Sequence, residues 1–249
     1  MIVIVLAAGY ATRLEPLTLK TPKSLLPVAG SLIIDRILDK VGAVKDKVHS
    51  IYIITNAKFF ENFRSWLVIS EYRRKIFLIN DGSTSNDTRL GAIKDISIVI
   101  KDKAVDDDVL VIAGDNLFDF NLNEFLEFAK TRPDGVSIAL HDIKSLDEAK
   151  SFGVVKIDGN NKVVDFAEKP KTPASTLIST GIYYFPRGKL SFIDRYVGMQ
   201  DKVDAPGYYI GWLSKADNVY GFAFSEDWYD IGTIESYKRA DTEYLNKER

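Results

Sequence analysis

The chain has 249 residues, 46% of them hydrophobic and 27% charged, with a formal net charge of −2 and no cysteine. This is an ordinary globular composition, and it excludes disulfides, thiolate catalysis and cysteine-based zinc sites. There is no long basic run, so the footprint of a nucleic-acid-binding surface is missing, whereas a small anionic substrate stays compatible because charge in a cleft is local.

The opening apolar run Ile2–Leu6 lacks a preceding basic segment and is too short to span a bilayer. It reads as a buried first strand, with no membrane partner expected. The lack of cysteine fits a reducing compartment, so a cytoplasmic location is expected. Ser50–Thr55, Ile76–Asn80 and Val109–Ala113 are further apolar runs bounded by turn residues, the pattern of strands covered on both faces. Between them, helical spacing predicts Leu32–Val41, with Ile33, Ile37, Leu38 and Val41 on one face, and Ala57–Val68, with Phe59, Phe60, Phe63 and Leu67. Leu90, Ile93, Ser97 and Ile100 recur at helical spacing before the fourth strand, and the helix Leu122–Lys130 follows it. Strands alternating with helices imply a mostly parallel sheet with right-handed crossovers.

After Arg132 the strands shorten. Val136–Leu140, Gly153–Ile157 and Lys162–Phe166 are predicted strands, the last two joined by the Asp158-Gly159-Asn160-Asn161 turn. Leu177–Phe185 is another strand, and the predicted helices Asp204–Lys215 and Thr233–Asn246 flank a strand over Val219–Phe224. The two histidines, His49 and His141, lie far apart with no ligand partner at helical spacing, so structural roles are expected. Without a repeat, a low-complexity linker or a clear boundary, residues 1–249 are expected to form one domain. The expected fold class is α/β: a Rossmann-like three-layer αβα arrangement with a mixed, mostly parallel sheet and an elaborated second half.

Ligands of open α/β sheets sit beyond the carboxyl ends of the strands, so the segments after Leu6, Asn80 and Ala113 are where chemistry is sought. The first loop carries the small residues Ala7, Ala8, Gly9 and Ala11, which let backbone N–H groups approach a phosphate chain. Arg13 and Lys23 add a forked cation and a point charge. A loop of about twenty residues without structure of its own is unusual and often functional. It is neither a P-loop nor a dinucleotide loop, and incidental basic residues on a strand-to-helix connection would give the same spacing. Asp115, at the end of the fourth strand, can reach a magnesium ion or cap a helix. Asp230 precedes a predicted helix, and Glu168-Lys169-Pro170 has the composition of an exposed charged turn.

Leu6–Pro27 resembles the signature loop of the sugar-1-phosphate nucleotidylyltransferases, L-A-A-G-x-G-T-R-L-x-P-L-T followed by P-K-x-L-x-P, with Ala11 where the family usually has Gly. Gly114-Asp115-Asn116, Phe152-Gly153-Val154-Val155, Glu168-Lys169-Pro170 and the Trp228–Thr233 stretch resemble further family motifs in the family's order. The resemblance runs from Met1 to about Tyr237. It implies a glucose-1-phosphate thymidylyltransferase-like enzyme that joins a nucleoside monophosphate to a sugar 1-phosphate and releases pyrophosphate. Arg13 and Lys23 would be catalytic. Leu6, Ala8, Gly9, Ala11, Thr12, Arg13, Asn80, Gly91 and Asp115 would bind the nucleotide. Gly153, Glu168, Lys169, Thr180 and Trp228 would bind the sugar phosphate, and Asp115 and Asp230 would hold Mg2+. The nucleotide part would cover about residues 1–130 and the sugar part about 131–249. Homo-oligomers are common among relatives.

The family often reads the base with a Gln that is missing here. Asn80, Thr84 or Asn86 offer hydrogen bonds, Gly91 offers close approach, and dTTP or UTP is favoured. A cytidylyltransferase acting on phosphocholine or a related phospho-alcohol fits less well, because Gly153, Glu168 and Lys169 match sugar-binding motifs. A catalytically silent nucleotide-binding subunit would not need two metal carboxylates. An NAD-linked oxidoreductase is a poor fit to a first loop without the dinucleotide glycines.

Overall fold

In the computed structural model, which describes residues 1–199 and 205–247, the first strand β1 (Ile2–Leu6) sends Val3 and Val5 into one core and Ile2 and Ile4 into another. Successive side chains of a strand point to opposite faces, so an all-apolar run is buried on both. A short hairpin follows, β2 (Pro27–Val28) and β3 (Ser31–Leu32), then α1 (Ile33–Gly42), β4 (Ser50–Thr55), α2 (Phe60–Ile69) and β5 (Ile76–Asn80). Next come α3 (Ala92–Asp102), β6 (Val109–Ala113), β7 (Asn116–Phe118), α4 (Leu122–Lys130) and β8 (Gly135–Asp142). The rest comprises α5 (Leu146–Ala149), β9 (Gly153–Ile157), β10 (Val163–Glu168), β11 (Leu177–Phe185), α6 (Ser191–Met199), α7 (Pro206–Ala216), β12 (Asn218–Phe224), β13 (Trp228–Asp230) and α8 (Ile234–Lys247).

Among the described residues nine strands form one sheet in the order β10-β9-β11-β6-β1-β4-β5, with β8 pairing β11 and β12. The ladders β6-β1-β4-β5 and β8-β12 are parallel. β11 runs antiparallel to β6, β8 and β9, and β10 antiparallel to β9. Only β10 and β11 therefore oppose the common direction, and the sheet is mixed and mostly parallel. The β6–β11 ladder carries it from the first half of the chain into the second. Helices α1, α2, α4 and α8 pack on one face, through residues such as Ile37, Phe63, Phe125 and Tyr244. Helices α3, α6 and α7 cover the other, through Ile96, Ile193 and Tyr209. This is the three-layer αβα arrangement.

Several boundaries move for identifiable reasons. The helix expected from Ala57 begins at Phe60, because the Asn56 side chain accepts the Phe59 N–H at 3.0 Å and turns the chain first. The helix expected over Asp204–Lys215 is described from Pro206, at its first turn, where a missing N–H does no harm; Asp204 lies outside the described residues. Helix α6, which the sequence did not announce, buries only Ile193 and Tyr196, too few to mark a periodic stripe.

Candidate active site

The first loop is pinned rather than structureless. It carries two single-turn 3-10 helices, Thr12–Leu14 and Lys23–Leu25, closed by Leu14 N–H to Ala11 O (2.9 Å) and Leu26 N–H to Lys23 O (2.9 Å). Leu14, Leu25 and Leu26 are buried beneath it. The Thr18 hydroxyl donates to Ala11 O at 2.8 Å, and Asn56 Nδ2 donates to Ala8 O at 2.9 Å. The loop is thereby held against β4 at the carboxyl end of β1.

Ala11 sits in the left-handed region at φ 50°, ψ 41°. A Cβ there costs roughly 1 kcal/mol, offset in part by the greater freedom glycine gives the unfolded chain. Ala11→Gly is expected to raise the melting temperature by about 1–2 °C, read by calorimetry.

Two carboxylates meet because of a ladder too short to announce itself. β13 pairs antiparallel with β7, placing Asp230 opposite Asn116, and Ile231 N–H donates to Asp115 O at 3.0 Å. Lys23 Nζ lies 2.6 Å from Asp115 Oδ2, and Asn116 Nδ2 donates to Asp115 Oδ1 at 2.9 Å. Burial, reinforced by the negative charge of Asp115, pushes the Asp230 carboxyl up to about 6; Lys23, Arg13 and Lys169 oppose that rise. The site thus favours additional positive charge near the pair. Among the described residues no group of three or more acidic or histidine ligands forms a metal cage. Two carboxylates suit magnesium, which commonly takes one or two of them and completes its shell with water and substrate phosphate oxygens.

The second half closes the cleft. β9 and β10 pair with Gly153 opposite Glu168, and Lys169 N–H donates to Phe152 O at 3.0 Å, so the two motifs expected on the sugar side are joined by backbone. Burial raises the Glu168 carboxyl above its ordinary range, and Lys169, with Nζ 3.9 Å away, counters this. Lys169 itself has φ 45°, a left-handed backbone in a non-glycine residue, as found where a site dictates the chain path. The indole Nε1 of Trp228 is buried with no hydrogen-bond partner among the described residues. β11 breaks register between Ser179 and Tyr183, and such irregularities often re-aim side chains beside active sites.

These pieces line one cleft of about 370 Å³. Of the expected nucleotide residues, Leu6, Ala8, Gly9, Arg13, Gly91 and Asp115 line it, on the sugar side Gly153, Glu168, Lys169, Thr180 and Trp228 do, and so does Asp230, expected with Asp115 at the metal. Lys23 joins through its ion pair with Asp115. The Thr180 hydroxyl is occupied, donating to Ala139 O at 3.0 Å, so this residue shapes the wall more than it offers a polar contact. Ala11, which precedes the 3-10 turn, and Thr12, which opens it, do not line the cleft, whereas Arg13 in the same turn does. Asn80 also stands outside that lining. It is exposed, its Oδ1 accepts the Gly82 N–H at 2.9 Å, and its neighbour Asp81 lines the cleft in its place. Thr84 and Asn86 are likewise exposed and outside it. Asp81 and Asp95 went unrecognised in the sequence; Asp95 looks like one charged residue in an ordinary amphipathic helix. The histidines take no part in the cleft: His49 pairs with Asp107 at 2.8 Å, and His141 packs beside Phe224 and Trp228.

A mixed α/β sheet with a loop of small residues and two neighbouring carboxylates beyond the carboxyl ends of its strands is the setting in which open α/β sheets bind ligands. The nucleotidyl transferase family model matches residues 2–247, and the chain belongs to that family. It is 29% identical over 248 residues to the bifunctional protein GlmU of Methanocaldococcus jannaschii, an alignment covering 98% of this chain and 54% of that protein. The chain therefore spans about half the length of this curated relative. A crystal structure assigned as a glucose-1-phosphate thymidylyltransferase of Bacillus anthracis, in complex with sucrose, superposes with a TM-score of 0.83 at 26% identity, covering 99% of this chain and 96% of that one. No helix among the described residues is long and apolar enough to cross a membrane.

Proposed function

We propose that the chain transfers a nucleoside monophosphate from a nucleoside triphosphate to a sugar 1-phosphate, giving an NDP-sugar and pyrophosphate. The observation that carries this reading is the Asp115–Asp230 pair, set among Lys23, Arg13 and Lys169 in one cleft. The likeness to GlmU and to the thymidylyltransferase structure supports it; dTTP or UTP is the favoured nucleotide, and the activity assigned to the latter supports dTTP.

A phosphate oxygen of the sugar 1-phosphate attacks the α-phosphorus, a new P–O bond forms, and the bond to the β-phosphate oxygen breaks in line. The nucleophile is already ionised, so no general base is needed. The barrier lies in bringing two polyanions together, and the protein lowers it by orientation and fixed charge. Arg13 and Lys23 hold the triphosphate, and Lys169 holds the acceptor phosphate. Glu168 accepts and Trp228 Nε1 donates hydrogen bonds to the sugar. Gly9 supports the phosphate role, since a Cβ built there meets no protein atom within 4 Å and the fold does not itself demand glycine. Asp115 and Asp230 would hold Mg2+, which supplies charge neutralisation across the two phosphates when bound. The nucleotide part, about residues 1–130, and the sugar part would work as a single catalytic unit, supported by the sheet that runs through both. The cysteine-free sequence supports a cytoplasmic setting.

The test is magnesium-dependent pyrophosphate release, crossing five triphosphates (dTTP, UTP, CTP, GTP, ATP) with glucose, mannose and N-acetylglucosamine 1-phosphates and phosphocholine. Release that requires one nucleotide and one sugar 1-phosphate is expected, with Asp115→Asn slower by about 100-fold or more. Release with phosphocholine alone, or near-normal turnover by Asp115→Asn, overturns the reading.

A further inference from the structure

Helix α3 opens at Gly91, whose φ of 88° and ψ of 152° fall in a region essentially reserved for glycine. Its first turn then places an acid where the helix meets the cleft. Asp95 is only 4% exposed, it lines the same cleft as Ala8 and Gly91, and its Oδ1 is buried with no hydrogen-bond partner among the described residues. The neighbouring acid is differently placed. Asp81 Oδ1 accepts the Ser83 N–H at 2.7 Å, and the Ser83 hydroxyl lies 2.8 and 2.9 Å from the two carboxylate oxygens, so Asp81 is already served by the chain. Buried polar atoms in native proteins are nearly always paired, and an unpaired one on a side chain that lines a binding cleft is suited to a donor carried by the ligand. Leu6, Ala8, Leu90 and Gly91 line the same cleft and give it apolar surface for a flat ring, with the charged Asp81 and Arg89 also in its lining. The phosphate and sugar contacts are provided elsewhere, by Arg13, Lys23 and Lys169 and by Glu168 and Trp228, which leaves the base for this end.

We propose that Asp95 selects the nucleobase, with Oδ1 accepting the ring N3–H of uracil or thymine while the other carboxyl oxygen donates to the adjacent ring carbonyl. The inference rests on the nucleotidyl-transfer reading and names a specificity residue within it. The pairing needs a neutral carboxyl, and burial together with the charge of Asp81 pushes the Asp95 carboxyl up to about 8. An asparagine at this position keeps one donor and one acceptor, whereas an alanine keeps neither. That difference gives the test a control that a purely structural role would not produce.

The experiment measures kcat/KM for dTTP, UTP, CTP, GTP and ATP with wild type, Asp95→Asn and Asp95→Ala, alongside the KM for the sugar 1-phosphate and the melting temperature of each protein. Wild type is expected to prefer dTTP or UTP. In Asp95→Ala that preference falls by about tenfold or more, the loss typical of one two-point base contact. Asp95→Asn is expected to retain most of the preference, and the KM for the sugar phosphate stays unchanged in both. Neither variant should melt below wild type, because each removes a buried acid. A uniform fall across all five nucleotides, or unchanged ratios in Asp95→Ala, overturns the role of Asp95 while leaving nucleotidyl transfer standing. A wild-type preference for GTP, CTP or ATP overturns the imide pairing. If wild type neither turns over nor binds any of the five, the reading of the whole site falls, and this inference with it.

Discussion

Asp230→Asn is expected to lose about 100-fold or more in pyrophosphate release and yet to melt higher than wild type at neutral pH. The two effects share one cause. Asp230 is buried beside Asp115, and burial with that like charge lifts its carboxyl from 3.8 to about 6 despite Lys23, Arg13 and Lys169 nearby. The folded chain therefore holds more protons at this group than the unfolded chain does between those two values. Stability from this source is fully present below about 4 and is lost as pH rises through about 6. At neutral pH the ionised carboxylate thus weakens the fold, by about 3 kcal/mol. An amide has no proton to lose, so the variant gains most above that window and little below it. The same amide cannot supply the negative charge proposed for magnesium, and turnover falls. Melting curves from about pH 4 to about pH 8, paired with release assays, check both halves. A variant that melts lower throughout, or that turns over normally, sinks the argument.

What could be read from the sequence was whatever local chain order determines. β1 and β6 are legible because an unbroken apolar run with small residues after it has few other uses, and Asp115 is placed once the end of β6 is known. Arg13 and Lys23 follow from the loop they share. The pairing of Asp115 with Asp230 was available only by resemblance, since it depends on β7 and β13, three-residue strands from distant parts of the chain with no periodicity to detect. Asn80 was expected in the cleft and Asp81 stands there: after a strand, a shift of one residue exchanges the faces, and the Asx turn at Gly82 settles it. Asp95 was missed because a helical wheel gives no sign that one charged position faces a cleft wall instead of solvent. The glycines around Glu168 were equally silent, because the reason for each is a side chain from another strand or helix.

Gly207 is the plainest such case, and its replacement is expected to damage the sugar side alone. α7 begins at Pro206, so Gly207 lies in its first turn, where alanine would ordinarily favour the helix by about 1 kcal/mol. Here a Cβ would overlap Glu168 Oε2, lie 2.7 Å from Glu168 Cδ and stand 3.2 Å from the Phe166 ring. On the other side, a Cβ on Gly153 would lie 3.1 Å from the same Oε2 and 2.6 Å from the same ring. Glu168 is therefore confined between two glycines, and its side chain, only 8% exposed, has little room to retreat. Gly207→Ala must shift either the carboxylate or the start of α7. Crowding of this kind costs about 1–3 kcal/mol, more than the helix propensity returns, so a lower melting temperature is expected. The KM for the sugar 1-phosphate should rise about tenfold or more, while the KM for the nucleotide stays near wild type, because Ala8, Gly9 and Arg13 lie on other elements. Glu168→Gln, which keeps the volume and removes the charge, separates displacement from lost charge. If Gly207→Ala leaves the sugar-phosphate KM unchanged, Glu168 does not hold the acceptor, and the division of the cleft into nucleotide and sugar ends fails at that residue.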